Sequence, residues 1–190
     1  MSTTTTRTHN GVEIPAAGTF VIDKSHAIVG FVARHLMVAK VRGRFTELEG
    51  TITIAEDPAE SSAQVVLQTA SVTTNDEGRD AHVKSADFLD VETYPTISFA
   101  STSLQERGDG RYVLAGDLTI KDVTKPVELD VEFEGRIVDP WGGERIGFTA
   151  STEVEREDWG LTWNVALESG GVLVSKKIKL EVEVEAVRQA

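Results

Sequence analysis

Ser71-Val-Thr-Thr-Asn-Asp-Glu-Gly-Arg-Asp-Ala-His-Val-Lys-Ser-Ala-Asp-Phe-Leu-Asp-Val-Glu-Thr-Tyr-Pro-Thr-Ile-Ser-Phe99 departs from the strand-like pattern that surrounds it. Asn75 to Gly78 is turn chemistry, because Asn, Asp and Gly tolerate the backbone angles that a turn demands. Arg79 to Lys84 shows no alternation and few β-branched residues, which predicts about one helical turn. Ser85 is placed to cap a second short turn by accepting an N–H near Asp87 or Phe88. Tyr94-Pro95 ends that turn, since Pro disfavours the helical region for the residue before it. A short helical excursion, around residues 79–90, interrupts an otherwise all-β chain and marks a place where something is covered or closed.

Outward from this stretch the period is two. Strands are predicted over Thr19–Asp23, Ala27–Leu36, Phe45–Ile54 and Ser62–Ser71 before it. After it come Thr96–Ser103, Arg111–Ile120, Val127–Glu134, Arg145–Val154 and Ser175–Val187. Val127, Leu129, Val131 and Phe133, for example, alternate with Glu128, Asp130, Glu132 and Glu134. Asp57-Pro58, Asp109-Gly110, Lys121-Asp122 and Asp139-Pro140-Trp141-Gly142-Gly143 punctuate the strands. Alternation with short connections implies an antiparallel sheet, one face dry and one wet. Eight or so such strands close on themselves, because closure removes exposed edges. The predicted architecture is an eight-stranded barrel, with room for packed side chains or one small ligand. Residues 1–17, polar and Thr-rich at the start, are expected to be a disordered tail, and 18–190 a single domain.

The net charge of −12 argues against nucleic acid and disfavours an anionic membrane surface, since both need a basic face. With no cysteine, a disulfide framework, zinc-thiolate site or thiol nucleophile is excluded. Met1 to Asn10 has no apolar segment of a signal peptide, and no run has the length of a spanning helix, so a cytoplasmic protein without a transmembrane segment is expected.

Several motifs together identify a family. They are Phe20-Val21-Ile22-Asp23-Lys24-Ser25-His26, Val29-Gly30-Phe31-Val32 with His35, and Val41-Arg42-Gly43-Arg44-Phe45. The central signature is Arg79-Asp80-x-His82-Val83-x-Ser85-x-Asp87-Phe88-Leu89-Asp90, followed by Tyr94-Pro95 and Ile97-x-Phe99-x-Ser101. Gly116-Asp117-Leu118-Thr119-Ile120, Thr124-x-Pro126-Val127 and Arg156-x-Asp158-Trp159-Gly160-Leu161 complete the set. The chain resembles the YceI-like family of lipid-binding, lipocalin-like proteins over about residues 18–187. It departs at Phe88-Leu89, where members carry two aromatics, and in lacking the leader of periplasmic members, which fits the cytoplasmic ones.

The resemblance implies an extended lipocalin-like barrel around an apolar tunnel. It implies a carrier of polyisoprenoid, quinone-like or fatty-acid-like chains, with a homodimer expected, no cofactor and no catalytic activity. The lining candidates, taken from the alternating faces, are Phe31, Ala33, Leu48, Ile52, Val65, Leu67, Phe99, Leu114, Leu118, Leu129, Val131, Phe148, Ile178 and Leu180. Arg79, Asp80 and His82 are candidates for a polar mouth that holds a head group. The competing reading is a local network that satisfies the free backbone groups of a tight helical turn. Asp23, His26 and His35 lack the three or four convergent donors of a metal site, and none is expected. Trp159 and Trp163, before Gly170-Gly171, read either as a lid or as a cap over a barrel end. Two rival functions stay open: an enzyme using His82 or His35 as general base, and an interaction module with a filled core.

Overall fold

The structure, a computed structural model, describes residues 6–190. Strands β1 (Thr6–His9) and β2 (Val12–Pro15) form a hairpin of their own. This corrects the expectation of a disordered tail from residue 6 onward, while residues 1–5 lie outside the described residues. The hairpin turns at Asn10-Gly11, both with positive φ, the residue pair that a tight turn of this hand prefers. Ile14 is buried, and the Arg7 guanidinium donates to the backbone carbonyls of Ala55 and Glu56.

The barrel strands follow: β3 (Gly18–His35), β4 (Ala39–Phe45), β5 (Leu48–Ile54), β6 (Ser62–Gln68) and the two-residue β7 (Val72–Thr73). Helix α1 (Glu77–Lys84) comes next, then β8 (Thr96–Gly108), β9 (Arg111–Ile120), β10 (Val123–Val138), β11 (Glu144–Glu155) and β12 (Lys177–Arg188). Eight of them close a ring in the order β3-β5-β6-β8-β9-β10-β11-β12, and β12 returns to β3 along Lys179↔Val32 to Arg188↔Phe20. Every pairing is antiparallel. The predicted all-β, eight-stranded closed barrel is the architecture observed.

Two predicted strands, Thr19–Asp23 and Ala27–Leu36, are one strand of 18 residues. At about 3.3 Å per residue it spans roughly 55 Å, which makes the barrel long. Lys24 to His26, left between the two predicted strands, belongs to an irregularity within it. The Asp23 carboxylate accepts from the Ser25 N–H at 3.0 Å and the Ser25 hydroxyl at 2.5 Å, and the register against β12 shifts between Val184 and Ala186. Such a bulge bends a strand without ending it. The first residues of β3 pair with β5 and its second half pairs with β4, so the sheet forks. β4, which the strand prediction did not include before Phe45, reaches β7 only through Arg44 and Phe45.

Helix α1 begins two residues before its expected start, because Asp76 caps it by accepting the Arg79 N–H at 2.8 Å. Ser85 accepts the Asp87 N–H at 3.3 Å, the predicted cap of the following turn. Asp109-Gly110 and Lys121-Asp122 have the positive φ angles of tight hairpin turns. The rings of Phe31 and Phe99 reach over Gly43 and Gly116, where a Cβ would come within 2.2 and 2.4 Å of ring carbons. Glycine is needed at both because the aromatic ring occupies the space of the missing side chain.

Three carboxylates make the fold sensitive to acid. Asp23 is held well below the usual carboxylate range by the Ser25 hydroxyl and then by Arg145. Asp139 is lowered by Arg145 and by the Gly143 N–H. For Asp80, burial pushes upward, but hydrogen bonds from the Thr74 hydroxyl and N–H outweigh it and lower the pKa. Groups with depressed folded-state pKa values add stability above their unfolded values, and that stability is lost as pH falls through the folded ones. The melting temperature is therefore expected to be flat above about pH 5 and to fall progressively below about pH 4. Asp80→Asn is expected to lower the plateau and soften the fall; a variant melting curve parallel to wild type across this range would refute the assignment.

Candidate functional site

The barrel interior holds two apolar chambers, of about 440 Å³ and 190 Å³. Val29, Phe99, Leu129 and Val182 line both and form the waist between them. The alternation of β12 shows how the sequence builds such walls. Ile178, Leu180 and Val182 face in, while Lys177 and Lys179 point out and pair with Glu153 and Glu181, each at 3.0 Å.

The larger chamber is lined by Phe31, Ala33, Leu67, Leu118, Ile178 and Leu180 of the predicted set. The smaller is lined by Ile52, Val65, Leu114, Val131 and Phe148, and Phe99 and Leu129 reach both. Leu48 lines neither: it sits at the start of β5 opposite Leu67, 6% exposed, in the packed cluster with Phe45 and Val72. Facing inward was legible at that position, but facing an open space was not, because the neighbouring side chains fill it.

One end of the larger chamber is closed by α1 and the segment after β11. Arg79 and His82 line it, as the polar-mouth reading requires. Arg79 is tied down as well: its Nε donates to the Thr74 hydroxyl at 2.8 Å and its Nη2 to the Thr74 carbonyl at 2.9 Å. Asp80 is a correction to that reading, since it is absent from the chamber wall. Its carboxylate accepts the N–H and the hydroxyl of Thr74, both at 2.6 Å, because those donors at the end of β7 need an acceptor more than the mouth needs a carboxylate. The His82 Nε2 lies 2.9 Å from an Asp87 carboxylate oxygen, and its ring meets Trp163 edge-on at 4.5 Å and Phe88 at 5.0 Å.

Sequence reasoning missed the one buried cation among the described residues. Arg156 is 5% exposed and lines the larger chamber. Among the described residues it makes no ion pair with a carboxylate. Its Nε donates to the Ser175 carbonyl at 2.9 Å, its Nη1 to the Leu161 carbonyl at 2.5 Å, and its charge lies over the Phe88 ring at 5.8 Å. Burial lowers its pKa from the usual arginine value. Alternation cannot find such a residue, since an arginine in a short 3₁₀ turn (Arg156–Trp159) reads as exposed. Trp159 resolves the lid-or-cap alternative in favour of a cap: it is 3% exposed and its indole N–H donates to the Leu118 carbonyl at 3.0 Å.

Asp23, His26 and His35 do not converge. His35 lies at the far end of β3 against Val174, whereas Asp23 and His26 approach Glu185. The Arg145 guanidinium already bridges Asp23 at 2.8 Å and Glu185 at 2.6 Å, so that cluster is an ion-pair network around a cation the chain itself supplies. Among the described residues, no helix is long and apolar enough to cross a membrane.

A model of the YceI-like domain matches residues 20–186. Protein YceI of Escherichia coli O157:H7 is 39% identical over 176 residues, spanning 91% of this chain and 88% of that one. The crystal structure of the Campylobacter jejuni YceI protein matches with a TM-score of 0.72 at 29% identity, over 83% of this chain and 90% of that chain. A polyisoprenoid binding domain from Saccharophagus degradans, implicated in plant cell wall breakdown, matches with a TM-score of 0.66 at 15% identity, over 92% and 100% of the two chains, a likeness of fold.

Proposed function

Because the chain belongs to the YceI-like domain family, we propose that it binds a long-chain amphiphile, of the polyisoprenoid, quinone or fatty-acid type, and holds it without chemical change. The observation that carries this reading is the pair of apolar chambers that adjoin at Val29, Phe99, Leu129 and Val182. An open space walled by carbon inside a barrel gains about 25 cal/mol for each Å² of apolar ligand surface removed from water. Its elongation suits a chain rather than a compact ring. The solved domain described as polyisoprenoid-binding supports the same ligand class through its fold.

The tail lies through the waist, and the head group stays at the α1 end near Arg79 and His82. The walls exclude water, and the side chains there bind and orient but transfer nothing. Native mass spectrometry of freshly purified protein, with solvent extraction and lipid analysis, tests this. The expected result is one co-purified amphiphile per chain, or uptake of an added prenyl or fatty-acid ligand. A clean unliganded mass with no uptake of either would leave the chambers as gaps in a packed core and end the proposal.

A further inference from the structure

Arg34, His35 and Val41, from the two strands of the β3–β4 hairpin, line the α1 end of the larger chamber, and the tip of that hairpin is apolar and exposed. Leu36, Met37 and Val38 all stand in solvent, Val38 at 79% exposure, and the Leu36 N–H ties the tip to Leu173 at 2.9 Å. Val165, from the same closing segment, adds another exposed aliphatic side chain. Below the tip, Arg34, Lys40, Arg42 and Arg44 are exposed. None of the four makes an ion pair among the described residues. From Ala27 to Thr46 there is no carboxylate at all, although the whole chain is at −12. The nearest carboxylate on the neighbouring strand, Glu181, is already paired with Lys179 at 3.0 Å. Glu168 is the one acidic residue of the loop beside the tip.

An apolar wedge on a cationic stem is the pattern that binds the surface of an anionic bilayer: the tip enters the acyl boundary and the cations meet the head groups. We infer that this hairpin docks the chamber mouth onto an anionic lipid surface, so that the ligand passes between bilayer and barrel. The inference rests on the proposed lipid-binding reading. The chain's net negative charge does not oppose it at contact, because charges beyond about 8–10 Å are screened at physiological salt. Cations on β4 also discourage strand pairing at its free edge, but that role gives no account of the bare Leu36–Val38 tip. The opposite end supplies a control. Trp141, 87% exposed, crowns the β10–β11 hairpin beside Asp139 and Glu144 rather than beside unpaired cations.

The test is co-sedimentation of the full chain with vesicles of phosphatidylcholine alone or mixed with phosphatidylglycerol, with no added ligand. Wild type is expected to sediment with the mixed vesicles and to be released by high salt. A cation near an anionic leaflet contributes on the order of fivefold in partitioning. Lys40→Gln with Arg42→Gln is therefore expected to weaken association about 25-fold, and Val38→Asp to weaken it at least tenfold, while Trp141→Ala leaves it unchanged. These side chains are outside the chamber walls, so thermal melts and ligand content by extraction should match wild type. Absence of wild-type sedimentation with mixed vesicles overturns the inference. So does binding that ignores the hairpin substitutions, or that Trp141→Ala abolishes. Ligand retained by a chain that does not bind vesicles would leave the proposed function standing and remove the docking alone.

Discussion

Leu129→Trp is expected to lower the affinity for a long-chain ligand by about a thousandfold while leaving a short-chain ligand bound as in wild type. Leu129 lies on β10, 9% exposed, faces Leu114 across the sheet, and lines both chambers at their waist. An indole there fills space that is now empty, so the added volume closes the passage rather than straining a full core. Overpacking a filled site would cost about 1–3 kcal/mol, and the chambers on either side absorb most of that here. Shutting the 190 Å³ chamber displaces the end of the tail. If about five methylene groups are expelled, each worth about 0.8 kcal/mol, the loss is about 4 kcal/mol. Titration with a long and a short ligand of the same head group measures the contrast. Equal retention of both would mean that the tail never crosses the waist. Loss of both, with a normal melting curve, would place the ligand elsewhere.

Arg156→Met is expected to destabilise the chain by about 3 kcal/mol, which for a protein of this size is a fall in melting temperature of about 6–12 °C. The methionine keeps the apolar stem and removes the donors. The carbonyls of Leu161 and Ser175 then lose their partner in a buried setting, at about 1–3 kcal/mol each. These two carbonyls stand at either end of the segment that closes the larger chamber, so Arg156 is a clamp on that closure. Hydrogen exchange in residues 161–176 should rise in the variant more than exchange in the barrel strands. A variant that melts like wild type but releases an anionic-headed ligand would mean that Arg156 serves the head group instead.

Much of the barrel was legible because alternation is a local property. Val127–Glu134 alternates in sequence because one face of β10 is dry, and the same rule placed Phe31, Phe99, Leu118 and Leu180 on inner walls. The breaks were harder. Asp23-Lys24-Ser25-His26 has turn composition, yet the β12 partner carries β3 through it. The 6–15 hairpin has Asn10-Gly11 at its turn, a signal outweighed by the polar composition of the leader. Arg156 and Asp80 depend on which carbonyls and N–H groups are left over when elements meet, and no spacing records that. Net charge is likewise a sum without positions: the −12 total conceals a carboxylate-free hairpin with four cations.

By itself the sequence determined the fold class, the closed barrel and the family, since hydrophobic period, turn chemistry and motifs are written in neighbouring residues. Only the tertiary structure decided that the interior stays open. Whether inward side chains meet across a barrel depends on strand tilt, register and the position of each ring. The Phe31 ring ends over Gly43 and the Phe99 ring over Gly116, where no side chain competes for the space, so both rings serve as chamber wall and leave volume beside them.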